Sequence, residues 1–397
     1  MLRIVSPVIL WVLLSVGAAW GDSLPRSVQE GWTWPVAVIP SSQGWDVEPG
    51  LSVAPAVEFA RGQVNDSVMG IREHDVFFRL EPPVTDAAKR LRDWRNDGFL
   101  AVISFAEPET NRQLVKAWSP GDPVLLLADD AETSLRDDAE IPKAGVFALQ
   151  LHKSYLSRAV TEAYGVLLPS DSEVALLSDV LAASLSQAAR ATASGLRDRR
   201  LSAQVFWVAG GGVDSYKMMA QEMMGYGAEA IVLWMDQVAV RELYHQIRAV
   251  SPSVVIWAAG PDPQGIVGLD GIMTADQDRA LEMDTTTKAL KMDIWDATRI
   301  HVQDRPIAAK AYACCRWVFK AFELVGEATP DSVAWAMARS TQIPLGAEII
   351  NASSVTHRPA SRVVTVVRAK DGRWEAGEIL SLAESGPGYY YDAIMVP

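Results

Sequence analysis

Short apolar runs separated by amphipathic stretches recur along most of this chain, and that alternation limits the folds open to it. The runs are Val36–Pro40, Phe99–Phe105, Val124–Ala128, Val146–Leu151, Glu173–Ser178, Gln204–Val208, Ala228–Trp234 and Val254–Ala259. Most are apolar at both alternating positions, the pattern of parallel strands covered on both faces. The stretches between them carry helical spacing. Leu243, Ile247 and Val250 fall at i, i+4 and i+7, and Tyr312, Cys315, Phe319 and Phe322 share one face opposite Arg316, Lys320 and Glu323. Strand-helix alternation of this length predicts an α/β fold of doubly wound sheets. The last sixty residues differ. Glu348–Ile350, Arg362–Arg368 and Trp374–Leu380 flank turn residues, and Asp371-Gly372 between alternating runs predicts an antiparallel hairpin.

The 397 residues suffice for about two folding units once a leader is removed. That leader reads Met1-Leu2-Arg3, an apolar run from Ile4 to Val16, then small residues with Ala19 and Gly21 at the −3 and −1 positions. Such an arrangement predicts a secretory signal peptide, residues 1–21, and a periplasmic product. The run is shorter than the roughly 20 apolar residues that span a bilayer. No Cys follows it, so the product is not expected to be a lipoprotein. A formal net charge of −13 argues against nucleic acid and anionic membranes as partners. The two cysteines, Cys314 and Cys315, stand side by side in a helical apolar pattern and read as buried free thiols.

No catalytic or metal motif is visible. His74, His152, His245, His301 and His357 are far apart, and no Walker loop, nucleophile elbow or regular glycine fingerprint occurs. Gly210-Gly211-Gly212 reads as a tight turn before a helix that Asp214 or Ser215 caps. The chain therefore reads as no enzyme, with no cofactor and no metal. What remains are the segments at the carboxyl ends of the predicted strands, where open α/β sheets bind ligands. Ala106-Glu107-Pro108-Glu109-Thr110 follows one strand, Asp129-Asp130-Ala131-Glu132-Thr133 another, and Gly260-Pro261-Asp262 a third. Their acids suit either a cationic ligand or the starts of helices. Trp45, after the first strand, and Trp234, ending another, are candidates to stack on a ligand.

The order of segments resembles the type I periplasmic binding proteins, the leucine/isoleucine/valine-binding family of ABC importers. Val36-Ala37-Val38-Ile39-Pro40 with the helix ending at Asn65 is similar to the family's opening. So are Ala311-Tyr312-Ala313, Pro330-Asp331-Ser332-Val333, Leu345-Gly346 and Asp371-Gly372-Arg373-Trp374 near the other end. The resemblance implies two Rossmann-like lobes joined by three hinge crossovers. Lobe 1 is expected at 33–148 plus 273–343, lobe 2 at 149–272 plus 344–390, and a tail at 391–397. It also implies a monomeric solute-binding protein that clamps a small polar solute, amino-acid-like, amine or amide, and serves permease subunits in the inner membrane. With the strand-end residues Trp45, Glu107, Thr110, Asp130 and Trp234 as candidates, the resemblance adds ligand contacts at Glu109, Ala131, Glu132 and Asp262. Hydroxyl residues that hold a ligand carboxylate in the family are replaced here by acids near Glu109 and Glu132, which disfavours a free acid as ligand. The family's usual tyrosine after a second-lobe strand is Ala183 here. Gly260-Pro261-Asp262 matches the family's Gly-Pro-Glu, whose acid holds the ligand's amine. Two alternatives share the fold: a ligand sensor feeding a receptor, and an assembly protein with a degenerate cleft.

Overall fold

The computed structural model describes residues 33–67, 70–136, 141–152, 154–210, 212–260 and 263–383. The expected signal peptide, Gly211, Pro261, Asp262 and the tail at 391–397 lie outside the described residues. Two compact units divide the chain, Met1–His152 with Asp284–Ala360 and Lys153–Met283 with Ser361–Pro397.

The first unit opens with β1 (Thr33–Ile39), α1 (Gly50–Asn65), β2 (Asp75–Leu80), α2 (Ala87–Asn96), β3 (Ala101–Ser104), α3 (Pro108–Ala117), β4 (Val124–Leu127) and β5 (Val146–Ala148). Among the described residues these strands form a parallel sheet in the order β2-β1-β3-β4-β5. β1 shows why both faces are buried. Ala37 and Ile39 meet Trp94, Phe99, Leu114 and Trp118 beneath α2 and α3, whereas Trp34 stacks on Phe322 at a ring separation of 4.8 Å.

The second unit carries α4 (Tyr155–Leu167), β6 (Glu173–Asp179), α5 (Ala183–Asp198), β7 (Ser202–Val208), α6 (Val213–Gly225), β8 (Ala230–Trp234), α7 (Gln237–Val250), β9 (Val255–Ala258), α8 (Pro263–Ile266), β10 (Ile272–Asp276) and α9 (Gln277–Met283). The chain then returns to the first unit as α10 (Thr285–Thr298), α11 (Arg305–Leu324), α12 (Pro330–Met337) and a ribbon of β11 (Ile343–Leu345) with β12 (Glu348–Ile350). Phe322 belongs to α11, as do Phe319 and Trp317, which meet Phe78 of β2 and Phe147 of β5. One helix thus supplies aromatic cover across the first sheet. Cys314 and Cys315, on the same helix, are buried, and burial pushes the Cys315 thiol pKa up.

β13 (Ser361–Lys370) and β14 (Arg373–Ala383) complete the second sheet, whose order is β14-β13-β10-β9-β8-β6-β7. Its central strands are parallel and β13 is antiparallel to both neighbours. Asp371 and Gly372 sit at φ 51° and 69°, the left-handed pair that a two-residue turn requires. On one face Leu177, Phe206, Leu233 and Ile256 pack against Tyr216, Met223, Leu243 and Ile247 of α6 and α7. On the other, Tyr164 of α4 meets Trp257 edge-on at 5.8 Å.

Several sequence expectations are corrected here. The chain passes between units after His152, Met283 and Ala360, not at 148, 272 and 343. Residues 273–283 stay with the second unit because β10 bonds to β9 and β13. The 344–360 stretch stays with the first because β12 pairs with β11 and His357 docks on β5. Val250, the last residue of α7, is exposed instead of completing the apolar stripe. Asp214 stands in the first turn of α6, behind a Gly212 cap.

Candidate functional site

In an open doubly wound sheet, ligands bind beyond the carboxyl ends of the strands where the strand order reverses. The order of the first sheet reverses between β1 and β3, and there the structure ties the two following loops together. The Glu107 carboxylate accepts the backbone N–H of Ser42 at 2.8 and 3.0 Å and its hydroxyl at 2.6 Å. Burial alone disfavours the charged carboxylate, but the Ser42 hydroxyl and the Ser42 and Glu107 amides outweigh it and hold the pKa below its ordinary value. Trp45, in the same β1 loop, is half-buried and donates its indole N–H to the Glu81 carbonyl at 2.6 Å. A Cβ on Gly50 would lie 2.5 Å from the Gly44 carbonyl oxygen, so this loop folds back directly on the start of α1.

The loop after β4 is organised by Asp130, which is 1% exposed. One carboxylate oxygen accepts the amides of Glu132 and Thr133 at 2.8 and 2.9 Å; the other accepts Asn111 Nδ2 at 2.8 Å and the Thr133 hydroxyl at 2.7 Å. Asn111 also accepts from the Ser104 hydroxyl and donates to the Ala106 carbonyl, so the ends of β3 and β4 share one buried network. Four donors saturate the Asp130 carboxylate and make it a builder of the loop, with Ala131 and Glu132 at the outer turn. Next to it, Asp129 is ion-paired with Lys310 of α11, a lysine only 1% exposed. Arg358 reaches the same loop through the carbonyls of Asp130 and Thr133, and the segment after β5 through that of Gln150.

Glu109 lies in the first turn of α3 and is exposed, bonded to Arg112 at 2.7 Å and Gln113 at 3.1 Å. The arginine lowers its pKa, with help from the glutamine. This is the i, i+3 and i, i+4 pairing of a helix surface. Thr110, beside it, is half-buried.

In the second sheet the order reverses between β6 and β8. Ser178, one residue before the end of β6, and Trp234, the last of β8, stand directly opposite one another. Both are buried, and neither the Ser178 hydroxyl nor the Trp234 indole N–H finds a hydrogen-bond partner among the described residues. With 2% of its surface exposed, Trp234 offers an N–H donor rather than an open ring face. Beyond β9, Gly260 approaches so closely that a Cβ would lie 2.1 Å from the Met235 carbonyl oxygen. Asp262 lies outside the described residues.

Lys310, Arg358, Asn111 and Ser178 were not singled out by the sequence reading. Lys310 left one signal, a lone cation within Ile307–Ala313. Among the described residues no group of three or more His, Cys, Asp or Glu side chains is placed to hold a metal ion, and no helix is long and apolar enough to cross a membrane.

No protein-family profile matches the sequence, and no curated protein does. Solved structures do match. An ABC transporter substrate-binding protein from Desulfitobacterium hafniense, in complex with Leu, aligns with TM-score 0.65 at 12% identity over 87% of this chain and 99% of its own. A solute-binding protein of an ABC transporter from R. palustris, in complex with 4-hydroxybenzoate, gives 0.61 at 13% identity over 90% and 99%. A type 1 periplasmic binding protein from Bordetella pertussis gives 0.54 at 15% over 87% and 99%. The fold is that of the type I periplasmic binding proteins. At such identities the likeness is one of backbone. In this type I fold both strand-order reversals carry polar groups drawn from several elements, which is where a fold of this kind recognises small molecules.

Proposed function

We propose that this chain is the periplasmic substrate-binding component of an ABC importer, a secreted monomer that takes up a small polar solute and serves inner-membrane permease subunits. The observation that carries this reading is the alignment over 99% of the length of ABC transporter substrate-binding proteins. The polar groups at both strand-order reversals support it. Binding needs a concave site with a few placed polar groups and no covalent step, so the reading asks no catalysis of the chain. The candidate contacts are Trp45, Glu107, Thr110, Ala131 and Glu132 in the first unit, and Trp234 with Asp262 in the second. Asp130 and Glu109 serve the scaffold and the helix surface.

The solute class follows from charge. Asp129 is paired with Lys310, Asp130 is saturated, and Glu109 is paired with Arg112. Two of the loop acids are thus compensated by cations and the third is hydrogen-bonded internally, so an uncharged polar solute or an amino-acid-like amide fits these loops better than a polyamine. The remaining Glu107 charge weighs against a simple anion.

The test is a thermal-shift screen of residues 22–397 against amino acids, amides, polyamines, urea, alcohols and aromatic acids including 4-hydroxybenzoate. A solute at about 100 times its Kd adds roughly 2.7 kcal/mol of stability, a shift of several degrees. A saturable hit among neutral solutes or amides is expected. Tight binding of a polyamine would overturn the charge argument, and no binding across the panel would overturn the binding role.

A further inference from the structure

The segment between β12 and β13 belongs to no sheet, yet it is bound tightly to the loop after β4. Its backbone closes on itself: Ser353 N–H donates to Arg358 O, His357 N–H to Ser353 O and Ala360 N–H to Asn351 O, each at 2.8–2.9 Å. His357 stacks on Phe147 of β5 at 4.5 Å, donates through Nδ1 to the Val146 carbonyl at 3.0 Å, and accepts the Ala148 N–H on its own carbonyl. From this anchored turn the Arg358 guanidinium projects into the first unit and is 3% exposed. One nitrogen donates to Asp130 O at 3.1 Å and to Gln150 O, and the other to Thr133 O at 2.6 Å.

Three carbonyl oxygens from two loops therefore converge on one planar cation. A guanidinium presents donors in a fixed fork that can serve all of them at once, whereas a lysine ammonium is a point charge on a flexible stem. The carboxylate of Asp130 holds the Asp130–Thr133 turn from one side and Arg358 holds its carbonyls from the other. Ala131 and Glu132 are the residues left between.

We infer that Arg358 is a positioning residue that sets the β4 loop for its solute and links that loop to the backbone entering β13. The inference rests on the binding role proposed above for Ala131 and Glu132. Two residues beyond Arg358 the chain becomes β13 of the second unit. Movement of the turn at Ala131 is carried by the guanidinium to a segment whose next residues are that strand.

Hydrogen exchange on the mature protein, with no solute present, tests the linkage apart from the binding role. Arg358→Lys keeps the charge and loses the fork. Exchange at Glu132, Thr133 and Ala148 should quicken by about tenfold or more, while Phe105 and Val124, whose amides bond Ile39 of β1 and Leu100 just before β3, should keep their rates. Asp130→Asn weakens the turn from its other side. The Ser353 and His357 amides should then quicken although neither residue touches Asp130, because coupling is reciprocal. Unchanged exchange at these sites, or a uniform rise across the unit, would overturn the inference in either variant. If Arg358→Lys fails to fold, the Asp130→Asn measurement decides alone. Failure here leaves the solute screen untouched, and failure of the screen removes the solute without changing the exchange result.

Discussion

His357 shows how a single buried side chain can make a unit less stable in acid. Its imidazole is buried, and burial pushes its pKa below the ordinary histidine value, although the Val146 and Lys143 carbonyls at Nδ1 pull the other way. The sign follows from linkage. The unfolded chain takes up the proton first as pH falls, so stability is fully present above the ordinary histidine pKa and drains away as pH drops through the lower folded value. Urea midpoints at pH 7.5 and 5.5 should therefore differ in the wild type, with the lower midpoint in acid. His357→Asn tolerates the left-handed φ of 56° and removes the titrating group, so its two midpoints should lie closer together. Equal pH dependence in both proteins would show that His357 stays neutral or is charged in both states. At this scale the sequence was legible in kind but not in role. The acids of the two loops were visible as a cluster near predicted strand ends. That Asp130 is consumed by four donors depends on Asn111, a turn into the next helix, and Arg358 reaches it across 228 residues, a distance that no local pattern spans.

Among the elements, the β13–β14 hairpin separates backbone conformation from packing. Gly372 has open space around its missing Cβ, so Gly372→Ala costs only the left-handed strain, about 1–2 kcal/mol. Gly62 in the middle of α1 also has room, its nearest neighbour being Asp66 at 3.8 Å, but its φ is ordinary. Gly62→Ala should raise stability by up to about 1 kcal/mol through helix propensity and a less flexible unfolded chain. Calorimetry on the two variants should show melting temperatures displaced in opposite directions. Displacement in the same direction would mean that the Asp371-Gly372 turn is not held in the left-handed pair. The hairpin was legible because Asp-Gly between alternating runs is a local signal. β2 and β10 were not singled out, and the reason is equally local. β2 is an edge strand whose Asp75 and Arg79 break the apolar run, and β10 is five residues long behind the turn Asp270-Gly271.

For the whole molecule, the important fact is that neither unit is continuous in the chain. The first is built from residues before 153 and residues 284–360, with the second threaded through the interval. The returning part is no accessory. α11 brings Phe322 onto Trp34, Phe319 onto Phe78 and Trp317 onto Phe147, covering β1, β2 and β5 on the face opposite α2 and α3. It also places Lys310 against Asp129 and receives α1 through Phe59 and Tyr312. A fragment ending at His152 keeps every strand of the first sheet and loses most of the cover of one face, where α1 alone remains, packed on β2. A sheet apolar on both faces has no stable state with one of them in water. Residues 22–152 alone should therefore show no cooperative urea transition and little near-ultraviolet circular dichroism. Co-expression with residues 284–360 should restore both, because the missing helix rather than the missing connection is what the sheet lacks. A cooperative transition in the fragment alone would show that α1, α2 and α3 suffice to hold it. The bidirectional apolar pattern of the strands, which made the fold class readable from sequence, would then be a poor measure of what each face needs. The expected failure of the fragment follows from that same pattern, since strands apolar on both sides demand two layers of helices and the second layer is completed only after residue 284, when α11 packs beside α1.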